Sequence, residues 1–175
     1  MHASLKYAGA FTAIALTFSL AVAGGDDKYA VKVPGGIGFS EFKGYENWQL
    51  VSISQNGGLV AAIFANPVMI DAFRAGAPGN GKAFPDGSKM AKVHWTPGPS
   101  TTFPAATVPH AQHDVDFMVR DSKRFKNTGN WGYAQFDYDV ASDTFKPNGT
   151  GAGCGYTCHS IVKDKDYVFT AYGKR

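Results

Sequence analysis

Short apolar segments alternate along the chain with stretches rich in glycine, proline and asparagine, which is the pattern of strands joined by turns. Strands are predicted over residues 45–54, 59–65, 89–95, 115–119 and 131–139. An Asn-Gly-Gly turn joins the first two strands and predicts a hairpin. Helices are predicted over residues 68–75 and 160–165, whereas residues 29–44 are expected to form an extended arm with one turn of helix and residues 97–109 a loop.

Side-chain alternation assigns the residues of the third and fourth predicted strands to two faces. Lys92 and His94 share one face of the third strand, and Val93 lies on the other. In the fourth strand, Asp116 and Met118 lie opposite the valine and phenylalanine side chains. A lysine in a strand is most often a solvated edge residue, so the pattern alone assigns Lys92 no function.

Size and composition predict a single domain. The chain has 175 residues and is 44% hydrophobic, which is enough for one core and too little for two comfortable ones. The fold class expected is α+β, predominantly antiparallel β-sheet with a few short helices, and residues 143–145 are expected to close a turn. The net charge of +3, without any block of lysine and arginine, argues against a nucleic-acid partner.

The first 23 residues have the pattern of a cleavable signal peptide. A short basic start leads into an apolar run, and Ala-Val-Ala precedes Gly24 as a cleavage signal. An uncleaved anchor is the alternative, but the apolar run is shorter than the roughly 20 residues that span a bilayer. We therefore expect a periplasmic or secreted protein whose domain comprises residues 24–175.

Both cysteines of the chain lie in the sequence CGYTCH at residues 154–159. Two thiols can add to the two vinyl groups of haem, and the histidine that follows can then bind the iron as axial ligand. This pattern predicts covalent haem c held by Cys154 and Cys158, with His159 on the iron. Three residues separate the cysteines instead of the usual two, so the motif is a longer variant.

Three other interpretations of the two cysteines are open. A disulfide between them would close a very short loop, which contributes little stability. A zinc site would need further ligands, and His159 directly beside Cys158 is poor spacing for a tetrahedral site. A redox-active pair usually has two intervening residues and begins a helix after a strand, a context that we do not expect here.

Four segments of the mature chain resemble the cytochrome P-460 family, which includes the cytochrome c′-beta proteins. They are FPDGSKMAKVHW at residues 84–95, FMVRDSKRF at 117–125, WGYAQFDYD at 131–139 and the last 22 residues from Cys154. The resemblance implies an antiparallel sheet that packs against a c-type haem and, commonly, a homodimer. It also implies that Cys154 and Cys158 hold the haem and that His159 is the proximal ligand.

The resemblance implies a reaction as well. Catalytic members of the family oxidise hydroxylamine to nitric oxide or nitrous oxide at an open iron position and pass electrons to a soluble acceptor. Lys92 matches the lysine that is bonded to the porphyrin edge in those members, although a contact with a haem propionate is equally open. Asp116 is the candidate distal carboxylate that takes protons, and the alternative is a solvated strand aspartate without a catalytic role. Where catalytic members carry an arginine early in the second strand, this chain has Ala61 and Ala62.

A protein without catalytic activity is the second hypothesis. A nitric-oxide-binding or electron-transfer protein of the cytochrome c′-beta type would have an apolar distal wall, for which the candidates are Phe64, Phe73, Phe117 or Met118. A third version is an electron carrier with a second protein ligand on the iron. Its candidates are a methionine or one of His94, His110 and His113.

Overall fold

The computed structural model describes residues 27–34, 37–148 and 152–173, so the predicted signal peptide lies outside the described residues. Six antiparallel strands form one sheet, in which each strand pairs with its neighbours along the chain. The strands are β1 (Gln49–Asn56), β2 (Leu59–Ala65), β3 (Lys89–Pro99), β4 (Thr107–Arg120), β5 (Trp131–Asp139) and β6 (Thr144–Asn148). The helices are α1 (Pro67–Arg74) and α2 (Ala152–His159), with 3-10 turns at Lys28–Ala30, Phe39–Phe42, Tyr45–Asn47, Lys126–Thr128 and Ser160–Lys165. The predicted α+β class is confirmed.

Both faces of the sheet are covered, which explains why β5 is apolar on both sides. On one face the segment before β1 buries Phe39 and Phe42, and the ring of Phe42 stacks on that of Phe117 with centroids 4.1 Å apart. On the other face α1 and α2 pack against Met118 and Tyr133. The turn of helix expected within residues 29–44 is present at Phe39–Phe42, but that part of the segment is not an extended arm, because these apolar rings are buried in the turn against the sheet.

The strongest sequence patterns gave the closest boundaries. Strands β2 and β5 have the predicted limits. Helix α1 begins at Pro67, one residue earlier than expected, since proline fits the first turn of a helix. Asn66 caps that helix by accepting a hydrogen bond from the Met69 N–H at 3.2 Å. Gly76, predicted to end the helix, follows it with a positive φ of 95°.

The first strand begins later than predicted. Residues Tyr45–Asn47 form a 3-10 turn instead of a strand, and β1 starts at Gln49. A register shift between Leu50 and Ser52 then breaks the simple alternation, so that Val51 enters the core at 4% exposure. The polar start of the segment was therefore a turn, and a bulge moved the buried positions by one residue.

The predicted loop over residues 97–109 is wrong. Strands β3 and β4 continue as a two-stranded hairpin in which Pro97 pairs with Pro109, and only residues 100–106 connect them. The pairing of β2 with β3 ends at Trp95, and that of β5 with β4 ends at Asp114. Beyond those residues the hairpin has two free edges, where proline is tolerated because its missing N–H costs no ladder bond.

Strand β6 was not predicted, since residues 143–145 were expected only to turn the chain. Its five residues are too few for a clear alternation, and Pro147 argues against a central strand. In the structure β6 is the edge strand of the sheet, where proline is permitted. Within the described ranges, no helix has the length and apolar character needed to cross a membrane.

Candidate functional site

The antiparallel register places the two predicted catalytic residues side by side. Lys92 on β3 pairs directly with Asp116 on β4, and Asp116 pairs with Gln135 on β5. Directly paired residues project to the same face of a sheet. That face is the one covered by α1 and α2, since Met90 and Met118, two residues along each strand, belong to its core. The predicted alternation of both strands is therefore confirmed.

Next along the same face, a buried carboxylate joins two histidines. Asp114 is 3% exposed, and its Oδ1 lies 2.5 Å from Nδ1 of His94, the residue directly opposite on β3. Its Oδ2 lies 2.6 Å from Nδ1 of His113. The ladder pairs His94 with Asp114 but Trp95 with Gln112, so His113 is the extra residue of a β-bulge. The bulge turns His113 toward Asp114 and leaves its side chain 53% exposed.

The pKa values of the two aspartates of β4 are shifted in opposite directions. Burial favours a higher pKa for Asp114, but the hydrogen bonds from His94 and His113 together outweigh it and hold that pKa below its ordinary value. Burial also raises the pKa of Asp116, to about 6, and the nearby charge of Asp114 adds to the rise. His94 and Lys92 oppose it. Near neutral pH, Asp114 is thus a fixed charge and Asp116 a group that can exchange a proton.

A cavity of about 240 Å³ opens above this polar face. Its wall includes Ala61 from β2, Lys92 and His94 from β3, Asp114 from β4 and Gln135 from β5. Polar atoms of His94, Asp114 and Asp116 lie within 4.8 Å of one another, a donor set that a cation could use. Both Asp114 oxygens already accept hydrogen bonds from imidazoles, so proton exchange is the better use of this cluster.

Helix α2 carries both cysteines, four residues apart, which places them on one side of the helix. The Cys158 thiol is free and exposed, while the Cys154 side chain lies outside the described residues. The helix follows β6 along the chain, so the expectation that a strand-then-helix context is absent is wrong. Against a redox-active pair there remains the three-residue spacing.

His159 ends α2 and is held in one orientation. Its Nδ1 lies 2.6 Å from the carbonyl oxygen of Tyr167, so Nδ1 carries the proton and Nε2 keeps a free lone pair. The rings of Tyr133 and Phe169 each lie 5.1 Å from the imidazole. Burial holds the pKa of His159 below its ordinary value; the Tyr167 hydrogen bond opposes this, and the charge of Lys92 adds to it. The charge of Lys92 therefore acts on the neutral imidazole of His159.

The distal-wall candidates divide between the two faces. Phe64 and Phe117 pack in the core of the opposite face, so their assignment to a distal wall is wrong. Phe73 and Met118 belong to the core on the Lys92 face. Of the two alanines that replace an arginine, Ala61 lines the cavity.

The three histidines proposed as a sixth ligand lie in three different places. Among them, His94 lines the cavity. Nε2 of His110 lies 3.0 Å from the Pro99 carbonyl oxygen on the extended hairpin. His113 bonds Asp114 from the bulge. As the alternation predicts, Lys92, His94 and Asp116 lie on one face of the sheet. Lys92 and His94 line the cavity there, and His110 does not.

Three contributors to the site were missed from the sequence. Asp114 could have been found from the His-Asp-Val-Asp sequence at residues 113–116, which places two carboxylates on one strand face if no bulge intervenes. Gln135 had no distinguishing signal within an aromatic strand. The Tyr167 carbonyl has no sequence signal, because any residue supplies a carbonyl and its direction depends on the local backbone.

Comparison with known proteins identifies the family of the chain. A search of curated proteins found no significant match. The family model described as Cytochrome P460 matches residues 42–170, a span that includes the whole sheet, both cysteines and His159. Members of this family are haem-binding proteins. The chain therefore belongs to the cytochrome P460 family.

Proposed function

We propose that this protein is an exported mono-haem c-type cytochrome that oxidises hydroxylamine. The observation that carries the proposal is the direct pairing of Lys92 with Asp116 on one face of the sheet. The charge of Lys92 on that face also acts on His159. A lysine at the cavity wall and, paired with it, a carboxylate of raised pKa suit a small, neutral substrate that must lose protons.

The residues present fit a covalently attached haem. Cys154 and Cys158 would form the thioethers, and His159, with Nδ1 hydrogen-bonded and Nε2 free, would bind the iron. The buried hydroxyl of Tyr133 has no hydrogen-bond partner among the described atoms, and Phe169 leaves 52% of its surface exposed beside the imidazole. Both features suit a large flat group in contact with this region. When bound, the haem supplies the site from which electrons leave the substrate.

The chain supplies the proton chemistry. Oxidation of hydroxylamine to nitric oxide releases three protons and three electrons, and the electrons pass to a soluble acceptor protein. Asp116 is the proposed base, since its carboxylate ionises near pH 6 and can accept a proton at neutral pH. His94 Nδ1 lies 4.0 Å from Asp116 Oδ2 and 2.5 Å from Asp114. His94 thus lies between the two aspartates, and its charge favours the ionised form of Asp116.

Lys92 has two possible roles in this proposal. Its amine can bond covalently to the porphyrin edge, which would alter the conjugated ring and with it the electronic properties of the iron. Alternatively, it stays an ammonium that pairs with a propionate. The position of Lys92 opposite Asp116 is compatible with both, and the loss of its positive charge on bonding would raise the pKa of Asp116 further.

Hydroxylamine turnover by the haem-loaded protein, with an artificial electron acceptor, tests the proposal. We expect nitric oxide or nitrous oxide as product and a large loss of rate in Asp116→Asn. The control is Asp71→Asn on the exposed surface of α1, which should retain the wild-type rate. A wild-type protein that binds haem but does not consume hydroxylamine would exclude the enzyme.

A nitric-oxide-binding protein of the cytochrome c′-beta type is the second candidate. The observation in its favour is Ala61, which is 2% exposed and gives the cavity an apolar side where catalytic members carry an arginine. Reversible nitric oxide binding without hydroxylamine turnover would support it. Export, a homodimeric assembly and a soluble electron acceptor are further parts of the proposal, which fractionation of the host cell and sedimentation of the purified protein can test.

A further inference from the structure

A second, largely buried carboxylate lies close to His159 along the chain. Asp166 follows the 3-10 turn Ser160–Lys165, and its Oδ2 accepts a hydrogen bond from the Phe84 N–H at 2.7 Å. Its Oδ1 accepts one from the indole N–H of Trp131 at 3.3 Å and lies 3.7 Å from Nη1 of Arg120. The side chain of Asp166 is 12% exposed and that of Arg120 11%. Arg120 also donates from Nε to the Phe84 carbonyl oxygen.

This carboxylate sits in a strained part of the backbone. Asp166 and Tyr167 both have positive φ, 50° and 63°, and neither is glycine. A non-glycine residue in the left-handed region is strained and persists only where the surroundings fix it. The contacts of Asp166 with β4, β5 and the Phe84 segment provide that fixation. These contacts hold the turn through both carboxylate oxygens of Asp166.

A backbone carbonyl of this turn contacts the candidate site. The Tyr167 carbonyl, directly after Asp166, accepts the hydrogen bond from Nδ1 of His159 at 2.6 Å. A carbonyl at the end of two left-handed residues points where it does only while the turn keeps that conformation. A hydrogen bond at Nδ1 makes an axial imidazole more electron-rich and fixes its ring plane.

We propose that Asp166 is a positioning residue for the proximal histidine. Its carboxylate, held by Phe84, Trp131 and Arg120, keeps the strained turn closed, so that the Tyr167 carbonyl fixes the tautomer and the electron density of His159. The inference rests on the proposed role of His159 as the iron ligand. It adds a determinant of the iron's reduction potential that would act through the histidine that would bind the iron.

The variant Asp166→Asn tests the inference with little change in shape. Asparagine tolerates positive φ as well as aspartate does, so the substitution adds no backbone strain. It has one acceptor oxygen, so either the Phe84 N–H or the Trp131 indole N–H must face an amide NH₂. The matched control is Asp164→Asn, an exposed aspartate of the same 3-10 turn.

The readouts are the reduction potential of the haem-loaded protein and the iron–histidine stretching frequency of its ferrous form. Weakening of the Nδ1 hydrogen bond makes the imidazole a poorer donor, which disfavours ferric iron. We expect a more positive potential and a lower stretching frequency in Asp166→Asn, and wild-type values in Asp164→Asn. A folded Asp166→Asn protein with wild-type values for both would overturn the inference.

Two further variants keep the outcome unambiguous. His159→Ala should abolish the iron–histidine band; if the band survives, the proposed ligand is wrong, and that result is distinct from failure of the Asp166 inference. If Asp166→Asn gives no folded haem protein, Trp131→Phe removes one donor to the carboxylate and leaves the carboxylate itself. We expect a smaller shift in the same direction, and an unshifted potential and band would count against the inference.

Discussion

Lys92 and Asp116 occupy directly paired positions on adjacent antiparallel strands, and their side chains project to the same face of the sheet. The lysine charge lowers the pKa of Asp116, against the larger effect of burial. A chemical change that removes the charge of Lys92 would therefore raise the pKa of Asp116, the carboxylate that we propose as the base. A covalent bond at Lys92 and proton transfer at Asp116 would therefore depend on each other.

The state of Lys92 can be read from a peptide map and a spectrum. If its amine is bonded to the porphyrin, a tryptic digest should yield a haem fraction that contains the peptide with Lys92 as well as the peptide with Cys154 and Cys158. The ferrous Soret band should be strongly red-shifted, and Lys92→Ala should return an ordinary c-type spectrum. Lys89→Arg is the control, since Lys89 lies on the opposite face of the same strand and bonds the Glu41 carbonyl at 2.5 Å. A haem fraction without the Lys92 peptide would leave the propionate contact as the role of Lys92.

Activity should depend on the ionisation of Asp116. A base works in its deprotonated form, and burial raises the pKa of Asp116 to about 6, so the rate should rise with pH through that region. Asp116→Asn should lower the rate at pH 7 by about 10²–10⁴-fold, the usual contribution of a positioned base, and should abolish this limb of the profile. In Lys92→Met the limb should move to higher pH, because a charge that lowers the pKa of Asp116 is gone. An unchanged limb in Asp116→Asn would assign it to another group.

The parts of the fold that could be predicted were those in which local pattern and tertiary environment agree. Strands β2 and β5 are bounded by clear turn residues, and alternation along β3 was enough to put Lys92 on the functional face. The extended hairpin was missed because Pro97 and Pro109 look like loop residues unless one knows that the neighbouring strands end before them.

The candidate site was predictable to the same extent. The CGYTCH sequence indicates the haem without any structure. By contrast, the contact of Asp114 with His113 depends on a bulge, and the Tyr167 carbonyl depends on two residues with positive φ. Neither a bulge nor a left-handed turn without glycine has a sequence signal, so these contributors could be found only from coordinates.

The Asp114 carboxylate should stabilise the fold in a pH-dependent way. Because its pKa is lower in the folded chain than in the unfolded one, its contribution is present above the ordinary pKa of an aspartate and is lost as pH falls through the folded value. Asp114→Asn leaves one imidazole N–H facing an amide and should lower the free energy of unfolding at pH 7 by about 2 kcal/mol. Urea unfolding should show this difference shrinking toward pH 3. A difference that stays constant with pH would indicate loss of packing instead of loss of the charged hydrogen bonds.

Gly155 should be needed for the approach of the cysteine-bearing helix to the sheet. A Cβ at this position would lie 2.5 Å from atoms of the Tyr133 side chain on β5, closer than real Cβ contacts. Helix propensity alone predicts that Gly155→Ala stabilises α2 by about 1 kcal/mol. The overlap with a buried ring costs about 1–3 kcal/mol and should prevail, since Tyr133 is 4% exposed and has little room to move.

The two effects in Gly155→Ala have opposite signs, so the free energy of unfolding decides between them. We expect net destabilisation, together with a lower yield of haem-loaded protein, because α2 must shift away from β5 and carry Cys158 and His159 with it. Gly173→Ala is the control, since no heavy atom of the described residues beyond its chain neighbours lies within 4 Å of its added Cβ, and it should match the wild type in both measurements. Stabilisation of Gly155→Ala with a normal haem yield would mean that α2 does not pack on Tyr133 in the haem-loaded protein.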